Sequence, residues 1–215
     1  MKPAFRDRPH AGRELARMLE EYRGSAALVL AIPAGGVPVA AAIAQELGLP
    51  LDLIAVSKVL YPWTTEAGYG AVAFDGSELL DEAAIARHGV KPAQIEKAVA
   101  EARAKVERRA ARLRKGRAAL ALEGRTLIVV DDGIAAGSTM RAAIAALRRK
   151  SAGRIVIAVP TAHQPTLEAI SKLVDETFCA NVRGGGGSFA VADAYEEWRD
   201  LPDEEIETLL QNRVR

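Results

Sequence analysis

The sequence predicts an α/β fold built on a doubly wound, mainly parallel sheet, and three observations support this. Short, uninterrupted apolar runs alternate with stretches of helical periodicity, a pattern typical of parallel strands that helices cover on both faces. The most β-branched run, at 126–130, leads directly into two aspartates and a turn of small residues. With 215 residues, 49% of them hydrophobic, the chain is long enough to bury one self-sufficient core. We therefore expect a single domain over residues 1–215.

The predicted strands and helices follow one another in the order that right-handed crossovers require. An apolar run without alternation predicts each strand, and an apolar face with a repeat near 3.6 residues predicts each helix. Gly48 and Pro50 end the first helix. The predicted strands are 27–32, 51–56, 71–74, 126–130, 155–159 and 176–180, and the predicted helices are 37–47, 138–150 and 165–173.

A long accessory helix, at about 92–115, lies outside this alternation. Its polar face alternates acids and bases, with spacings that fit the pairs Glu101–Lys105 and Arg103–Glu107. We interpret this face as solvated, and an RNA-binding helix is the alternative that its arginines leave open. The apolar stripe of the helix consists of Ile95, Val99, Ala102, Val106, Ala110 and Leu113.

Composition and charge exclude several classes of function. The net charge is +1, so neither a nucleic acid nor an anionic membrane is expected as a partner. Cys179 is the single cysteine, which rules out an intrachain disulfide and a zinc site built from cysteines. The N-terminus lacks the apolar run of a signal peptide, and no apolar stretch reaches roughly the 18 residues of a membrane span. We expect a cytoplasmic protein.

Asp131 and Asp132 follow the 126–130 strand at the sheet edge where open parallel sheets bind ligands. The residues after them predict a phosphate site, because a turn of small residues at a helix N-terminus brings several N–H groups together. Carboxylates beside such a site suit sugar hydroxyls or a magnesium ion rather than the phosphate itself. The alternative is that the two aspartates only cap a helix in an ordinary loop. The predicted phosphate loop consists of Ala135, Ala136, Gly137, Ser138 and Thr139.

The segment from this strand to Thr139 closely resembles the motif that binds 5-phosphoribosyl 1-pyrophosphate (PRPP) in type I phosphoribosyltransferases. That motif consists of four hydrophobic residues, two acids, two variable residues and a loop of small and hydroxyl-bearing residues. Residues 5–12, 30–40 and 70–73 resemble a bacterial and archaeal group within the same superfamily. The resemblance covers about residues 5–180 and is specific to the superfamily rather than to one substrate.

The resemblance implies a transferase of nucleotide metabolism that moves the phosphoribosyl group of PRPP onto a nucleobase or amine and releases pyrophosphate. It assigns Asp131 and Asp132 to the ribose hydroxyls, directly or through Mg²⁺, and residues 135–139 to the 5-phosphate. Lys58 is assigned to the pyrophosphate. The pyrophosphate loop itself, often built around an unusual cis peptide, is Ala34, Gly35 and Gly36.

The remaining roles implied by the resemblance concern the acceptor and the assembly. Residues 61–70 correspond to a flexible lid, and the C-terminal hood segment, about 181–215, to part of the acceptor pocket. PRPP and the unidentified acceptor are the small-molecule partners, and a homodimer is possible because the family often dimerises. No covalent nucleophile is implied.

The sequence departs from this group at the pyrophosphate loop, which commonly reads Pro-Arg-Gly-Gly. Ala34 stands in place of the arginine, and Ser57 stands where an arginine usually precedes the lysine. Arg6 and Arg8 are candidates to replace the missing cations, and surface charge is their alternative interpretation. Ala135 stands where 6-oxopurine enzymes carry an acid, which disfavours hypoxanthine and guanine as acceptors.

Other interpretations of the chain stay open at this point. One is a PRPP- or nucleotide-sensing binding protein of low or no activity, and another is an enzyme of the same fold that acts on a different phosphorylated sugar. A degenerate dinucleotide loop at 33–36 is disfavoured because the G-x-G-x-x-G pattern is missing. The glycine-dense stretch 184–187 suits a flexible turn better than an acceptor loop. Side chains that could contact an acceptor, or else serve packing, are Tyr61, Trp63, Tyr69, His163, Tyr195 and Trp198.

Overall fold

The computed structural model describes residues 2–65, 67–184 and 189–211 and contains the predicted parallel sheet. Five strands pair in the order β2-β1-β6-β7-β8, and every neighbouring pair is parallel. The strands of this sheet are β1 (Leu28–Ala31), β2 (Leu51–Leu53), β6 (Thr126–Val130), β7 (Arg154–His163) and β8 (Glu176–Arg183).

Helices cover both faces of the sheet, as the uninterrupted apolar runs predict. In β1, Leu28 and Leu30 point into one apolar core, whereas Val29 and Ala31 point into the other. Helices α1 and α2 pack on the second core and α5 on the first. The helices are α1 (Arg8–Met18), α2 (Gly36–Leu47), α3 (Glu82–His88), α4 (Pro92–Arg114), α5 (Ser138–Arg149), α6 (Gln164–Ser171) and α7 (Asp203–Gln211).

A second, smaller sheet corrects the prediction for residues 51–74. Strands β3 (Ser57–Leu60), β4 (Gly68–Val72) and β5 (Glu78–Leu80) form an antiparallel sheet in the order β3-β4-β5. The run predicted as one strand at 51–56 therefore ends at Leu53, and the strand predicted at 71–74 belongs to this separate sheet. Of the expected lid, 61–70, residues 61–65 and 67 lie between β3 and β4, residues 68–70 begin β4, and Glu66 lies outside the described residues. Tyr69 in β4 is only 1% exposed, so it is a core residue.

Helix α4 lies against the small sheet and is fastened to the central sheet at its end. Arg114 forms an ion pair with Asp52 of β2, at 3.0 Å, and donates to the Leu53 carbonyl oxygen at 2.7 Å. Asp52 is 1% exposed and also accepts from the Leu120 N–H group. The polar face of α4 is therefore not merely solvated.

Neither of the two pairs expected within that face forms, since Glu101 binds Lys97 of the same helix at 4.0 Å and Arg103 contacts another element. Arg103 binds Glu78 of β5 at 2.6 Å rather than Glu107. Arg112 binds Asp203 of α7 at 2.7 Å. Both side chains therefore tie α4 to its neighbours instead of supporting the helix locally.

Three helices were not predicted, although each has a local start signal. Asp7 caps α1 by accepting from the His10 N–H group at 2.7 Å, and Asp81 caps α3 in the same way. Helix α7 begins with three acids, Asp203 to Glu205, immediately after a proline. These signals are short, and without a long apolar stripe they do not stand out in the sequence.

The C-terminal segment returns to the N-terminus. Tyr195 bridges to Phe5 in parallel, and the Phe5 N–H group donates to the Ala194 carbonyl oxygen at 2.9 Å. The glycines at 185–187 lie outside the described residues. No helix in the described ranges combines the length and apolarity that crossing a bilayer requires.

Candidate active site

The two aspartates lie where the sheet predicts them, at the carboxyl end of the central strand β6. Strand β1 runs beside β6 with Ala31 opposite Val130, so the loop after β1 and the loop after β6 emerge at the same edge. Both Asp131 and Asp132 are half-buried. Asp131 Oδ1 accepts the backbone N–H of Asp132 at 2.9 Å, which fixes the carboxylate of Asp131 against its neighbour.

Arg8, in the first turn of α1, forms a short ion pair with this acidic site. Its Nε donates to Asp132 Oδ2 at 2.9 Å, and its side chain is 9% exposed. The interpretation as surface charge is therefore wrong for Arg8, while Arg6 is exposed and binds Asp7. Arg8 contacts the carboxylate of Asp132 rather than the loop after β1. It therefore neutralises the negative charge of that carboxylate.

Burial raises the pKa values of both carboxyls, and repulsion by Asp132 raises that of Asp131 further. The pKa of Asp131 lies well above its ordinary value, first because the group is buried and then because Asp132 is close. Burial also raises the pKa of Asp132, and Arg8 opposes that rise. Two crowded carboxylates of this kind fit a divalent cation, which would relieve the repulsion between them. The residues therefore suit Mg²⁺.

A magnesium ion held here would need further ligands from outside the protein. The described part of the chain contains no group of three or more histidine, cysteine or acidic side chains that could hold a metal ion. This is the usual situation of Mg²⁺, which is commonly held by one or two carboxylates together with waters and substrate phosphates.

The loop after β1 packs directly on the acidic pair. It contains a cis peptide bond between Pro33 and Ala34, as the resemblance implies. A Cβ atom added to Gly35 would lie 1.8 Å from Asp132 Oδ2, and one added to Gly36 would lie 2.6 Å from the Val130 carbonyl oxygen. Glycine is therefore required at both positions by close approach rather than by backbone conformation. Gly36 is buried at the start of α2 and does not line the cavity above the loop.

The loop after the acids forms a small cavity of about 240 Å³ at the N-terminus of α5. Gly137 has a φ of +79°, and a Cβ atom added to it would lie 2.7 Å from Thr166 Cγ2. Within the described chain, the N–H groups of residues 135–139 donate to no protein acceptor. All five predicted phosphate-loop residues line this cavity: Ala135, Ala136, Gly137, Ser138 and Thr139.

A second cavity, of about 320 Å³, lies on the other side of the acids. Its floor includes Ala34 and Gly35 of the loop after β1, and Lys58 of β3 lies on its wall. The two cavities share four residues, namely Lys58, Asp131, Asp132 and Thr139. The structure thus brings the predicted site residues together in a row. The carboxylates lie in the middle, between the smaller cavity with the backbone N–H groups of residues 135–139 and the second cavity with its cationic side chains.

Helix α4 contributes two cationic residues that sequence reasoning missed. Lys105 and Arg109 both line the second cavity, and Arg109 Nη1 donates to the Pro33 carbonyl oxygen at 3.3 Å. Their spacing of four residues places them on one face of the helix, which is the only sequence signal for them. Nothing in that spacing tells which loop the face meets.

The C-terminal segment closes the site from the side of α1. The Tyr195 hydroxyl donates to the Asp132 carbonyl oxygen at 2.6 Å, and burial raises the pKa of this phenol. The Trp198 ring lies 3.9 Å from the Arg8 Cζ atom, a cation–π contact. Val191 lines the smaller cavity. Tyr195 and Trp198 therefore hold the acidic pair and its arginine in place.

The other aromatic and histidine candidates contact groups other than the two acids. Tyr61 and Trp63 stack at 5.0 Å, with His88 beside Tyr61 at 4.9 Å. His163, at the end of β7, lies 3.4 Å from the Thr166 hydroxyl and 6.0 Å from the Phe189 ring. Trp63 is 60% exposed, which leaves it free to contact a ligand or a partner.

Comparisons with known proteins agree with this arrangement. A family model of the phosphoribosyl transferase domain matches residues 6–193. Curated proteins from two Mycobacterium tuberculosis strains, named "putative phosphoribosyl transferase", are 34% identical over 98% of this chain. The chain spans about half of their length, namely 47%. The crystal structure of TT1426 from Thermus thermophilus is 34% identical, covers 98% of each chain and superposes with a TM-score of 0.78.

The family model covers most of the chain, and the similarity to TT1426 runs from end to end. The matched residues include Arg8, the acidic pair and both loops beside it. The chain belongs to the family of proteins with a phosphoribosyl transferase domain.

Proposed function

We propose that this protein transfers the phosphoribosyl group of PRPP to a nucleobase or amine and releases pyrophosphate. The observation that carries this proposal is the row formed by the two cavities and the carboxylates that they share. PRPP has a phosphate at C5, a pyrophosphate at C1 and ribose hydroxyls between them. The row offers groups of the required charge in the same order.

Each part of the row has a distinct task in this proposal. The free N–H groups of residues 135–139 bind the 5-phosphate, and Asp131 and Asp132 hold the 2- and 3-hydroxyls of the ribose. Lys58 contacts pyrophosphate oxygens from the wall of the second cavity. The carboxylates of Asp131 and Asp132 would hold Mg²⁺, which would supply positive charge to neutralise the pyrophosphate.

The reaction needs binding and charge stabilisation rather than a nucleophile from the protein. The bond between C1 and the pyrophosphate oxygen breaks, its electron pair leaves with the pyrophosphate, and the acceptor nitrogen forms the new bond to C1. Lys58 stabilises the negative charge that develops on the leaving oxygen. The β3–β4 connection, together with the exposed Trp63, is suited to exclude water from the cavity when substrate is bound.

The acceptor is defined only by class. Ala135 supplies no carboxylate to a purine N7, which disfavours hypoxanthine and guanine. The segment from Val191 to Trp198 borders the smaller cavity and the acidic pair, so an acceptor near C1 would lie close to it. A cytoplasmic location and a homodimer stay predictions from the sequence.

The test is release of pyrophosphate from PRPP with Mg²⁺ and a panel of nucleobases and amines. The wild-type protein is expected to release it with at least one acceptor. Asp131→Asn and Asp132→Asn are expected to lower the rate by at least about 100-fold. Glu96→Gln, which changes an exposed acid on α4, is the matched control and is expected to retain full activity. Absence of PRPP binding in the wild-type protein would contradict the proposal.

A second candidate function is a PRPP- or nucleotide-sensing protein with little or no turnover. It is favoured by Ala34, which leaves the loop after β1 without a cation, and by Arg8, which already occupies an oxygen of Asp132. PRPP binding at the same site without pyrophosphate release for any acceptor would select this second function.

A further inference from the structure

The loop after β1 contains no charged side chain, yet cationic side chains from other elements line the cavity above it. Pro33, Ala34, Gly35 and Gly36 make up the loop. A pyrophosphate group bound above them would meet only backbone groups from the loop itself. Cationic side chains must therefore come from other elements if this cavity is to hold several negative charges.

Helix α4 supplies those side chains from across the cavity. Arg109 is half-buried, and its Nη1 donates to the Pro33 carbonyl oxygen at 3.3 Å. This contact holds the guanidinium against the loop, at the carbonyl group of the cis peptide itself. Lys105 lies one helical turn earlier and lines the same cavity.

Several other cations of α4 have carboxylate partners that explain their presence. Arg103 binds Glu78, and the ion pair is 2.6 Å long. Arg114 binds Asp52 at 3.0 Å. In the residues that the structure covers, neither Lys105 nor Arg109 has a carboxylate within 4.0 Å. These two cations therefore do not serve to fasten the helix through ion pairs.

The acids of the cavity do not account for the two cations either. Asp132 already has Arg8 as its partner, at 2.9 Å. Asp131 lies on the shared wall, and neither Lys105 nor Arg109 reaches it within ion-pair distance. The cavity thus has cationic side chains from α4 and carboxylates in its lining, with Mg²⁺ suited to the carboxylates.

We propose that Arg109 and Lys105 of α4 bind the pyrophosphate group of PRPP and serve in place of a cation in the loop after β1. This inference rests on the proposed function, since it assumes that PRPP is the ligand. The planar guanidinium of Arg109 is suited to two parallel N–H···O bonds to phosphate oxygens, and Lys105 adds a point charge. Helix α4 is then part of the binding site.

The test compares PRPP with ribose 5-phosphate, which lacks the pyrophosphate, by calorimetric titration in the presence of Mg²⁺. Arg109→Ala is expected to weaken PRPP binding by about 10- to 100-fold and to leave ribose 5-phosphate binding within about twofold. Lys105→Ala is expected to weaken PRPP binding by a smaller factor. Arg103→Ala, which removes one cation from the same helix away from the cavity, is the control and is expected to bind both ligands normally.

Two further variants separate ligand binding from support of the loop. Arg109→Lys keeps the charge and is expected to retain part of the PRPP affinity, whereas Arg109→Gln keeps a donor without charge and is expected to behave like Arg109→Ala. Adding Ala34→Arg to Arg109→Ala restores a cation at the loop and is expected to recover PRPP affinity.

The outcomes distinguish this inference from the proposed function. If the wild-type protein binds neither PRPP nor ribose 5-phosphate, the proposed function fails and this inference fails with it. If the wild-type protein binds PRPP and the Arg109 and Lys105 variants bind it equally well, only this inference is overturned. An equal loss of both ligands in Arg109→Ala would also overturn it, because that pattern indicates general damage to the site.

Discussion

At the scale of single residues, the acidic pair is divided by its surroundings into two unlike groups. Asp132 has Arg8 as a partner, and Tyr195 fixes its backbone through a hydrogen bond to its carbonyl oxygen. Asp131 has the stronger upward shift of its pKa, caused by burial and by Asp132. We interpret Asp131 as the carboxylate that most needs a cation, and Asp132 as the one already neutralised.

This difference predicts opposite effects of two similar substitutions on stability. Asp131→Asn removes a poorly compensated charge and is expected to raise the free energy of unfolding at pH 7 by about 1–3 kcal/mol. Asp132→Asn removes the carboxylate partner of Arg8, which is largely buried, and is expected to lower the free energy of unfolding. Urea unfolding of both variants without ligand measures these values. A loss of stability in Asp131→Asn would contradict the assignment.

The stability gain of Asp131→Asn is expected to depend on pH in a definite direction. An acid whose pKa is raised by folding binds more protons in the folded state, so the wild-type protein loses stability as the pH rises through the raised pKa. At about pH 4, near the ordinary pKa of aspartate, this penalty is small because the group is protonated in the folded state and only about half ionised in the unfolded state. The advantage of the variant should therefore be small near pH 4, grow with pH and then level off. A stability gain of Asp131→Asn that shrinks with rising pH would contradict the raised pKa of Asp131.

Gly35 provides a test of the close approach between the two loops. Gly35→Ala places a methyl group 1.8 Å from Asp132 Oδ2, and it is expected to cost about 1–3 kcal/mol and to abolish PRPP binding. Gly48→Ala is the control, because Gly48 has a φ of +66° and no atom near its Cβ position. It is expected to cost about 1–2 kcal/mol of stability and to leave ligand binding intact. Thermal unfolding and PRPP titration measure both effects, and PRPP binding by Gly35→Ala would contradict the packing described.

At the scale of elements, continuous apolar runs predict the parallel strands well, and weaker patterns predict the rest poorly. Strand β6 has the predicted bounds, and α2 and α5 agree within one residue. Strand β7 extends to His163 because pairing with β8 continues beyond Pro160, where the sequence indicates an end. The small sheet was missed because hydrogen bonds between strands that are only partly apolar leave no clear periodicity.

Helix α4 shows most clearly what sequence reasoning can and cannot supply. Its apolar stripe predicts the helix and the buried positions Val99, Ala102, Val106 and Leu113. The targets of its cations could not be predicted, because they lie on β2, β5, α7 and the loop after β1. A charged helix face is compatible with solvent and with many partners, and tertiary contacts alone decide between them.

The anchoring of α4 yields a prediction at this scale. Arg114→Ala leaves Asp52, which is 1% exposed, without its cation and is expected to cost about 3–5 kcal/mol. Arg103→Ala breaks the more exposed pair with Glu78 and is expected to cost less than about 1 kcal/mol. Urea unfolding of both variants measures the difference. Equal costs would show that Arg114 does not anchor the helix.

At the scale of the whole molecule, a chain of net charge +1 concentrates cations at one edge of the sheet. Arg8, Lys58 and Arg109 come from three elements far apart in sequence and meet around the carboxylates. The motif after β6 predicted the centre of the site, because one continuous segment encodes it. The contributions of α1 and α4 depend on how distant segments fold back, so no local pattern identifies them.

The central claim is that the loop 135–139 binds the terminal phosphate of a ribose, and NMR spectroscopy of backbone amides tests it most directly. Titration with ribose 5-phosphate is expected to shift the ¹H–¹⁵N signals of Ala136, Gly137, Ser138 and Thr139 in a saturable manner. Thr139 lies on the wall shared with the acids, so signals of Asp131 and Asp132 should move with them. Saturable shifts elsewhere in the chain, with these amides unmoved, would contradict the account.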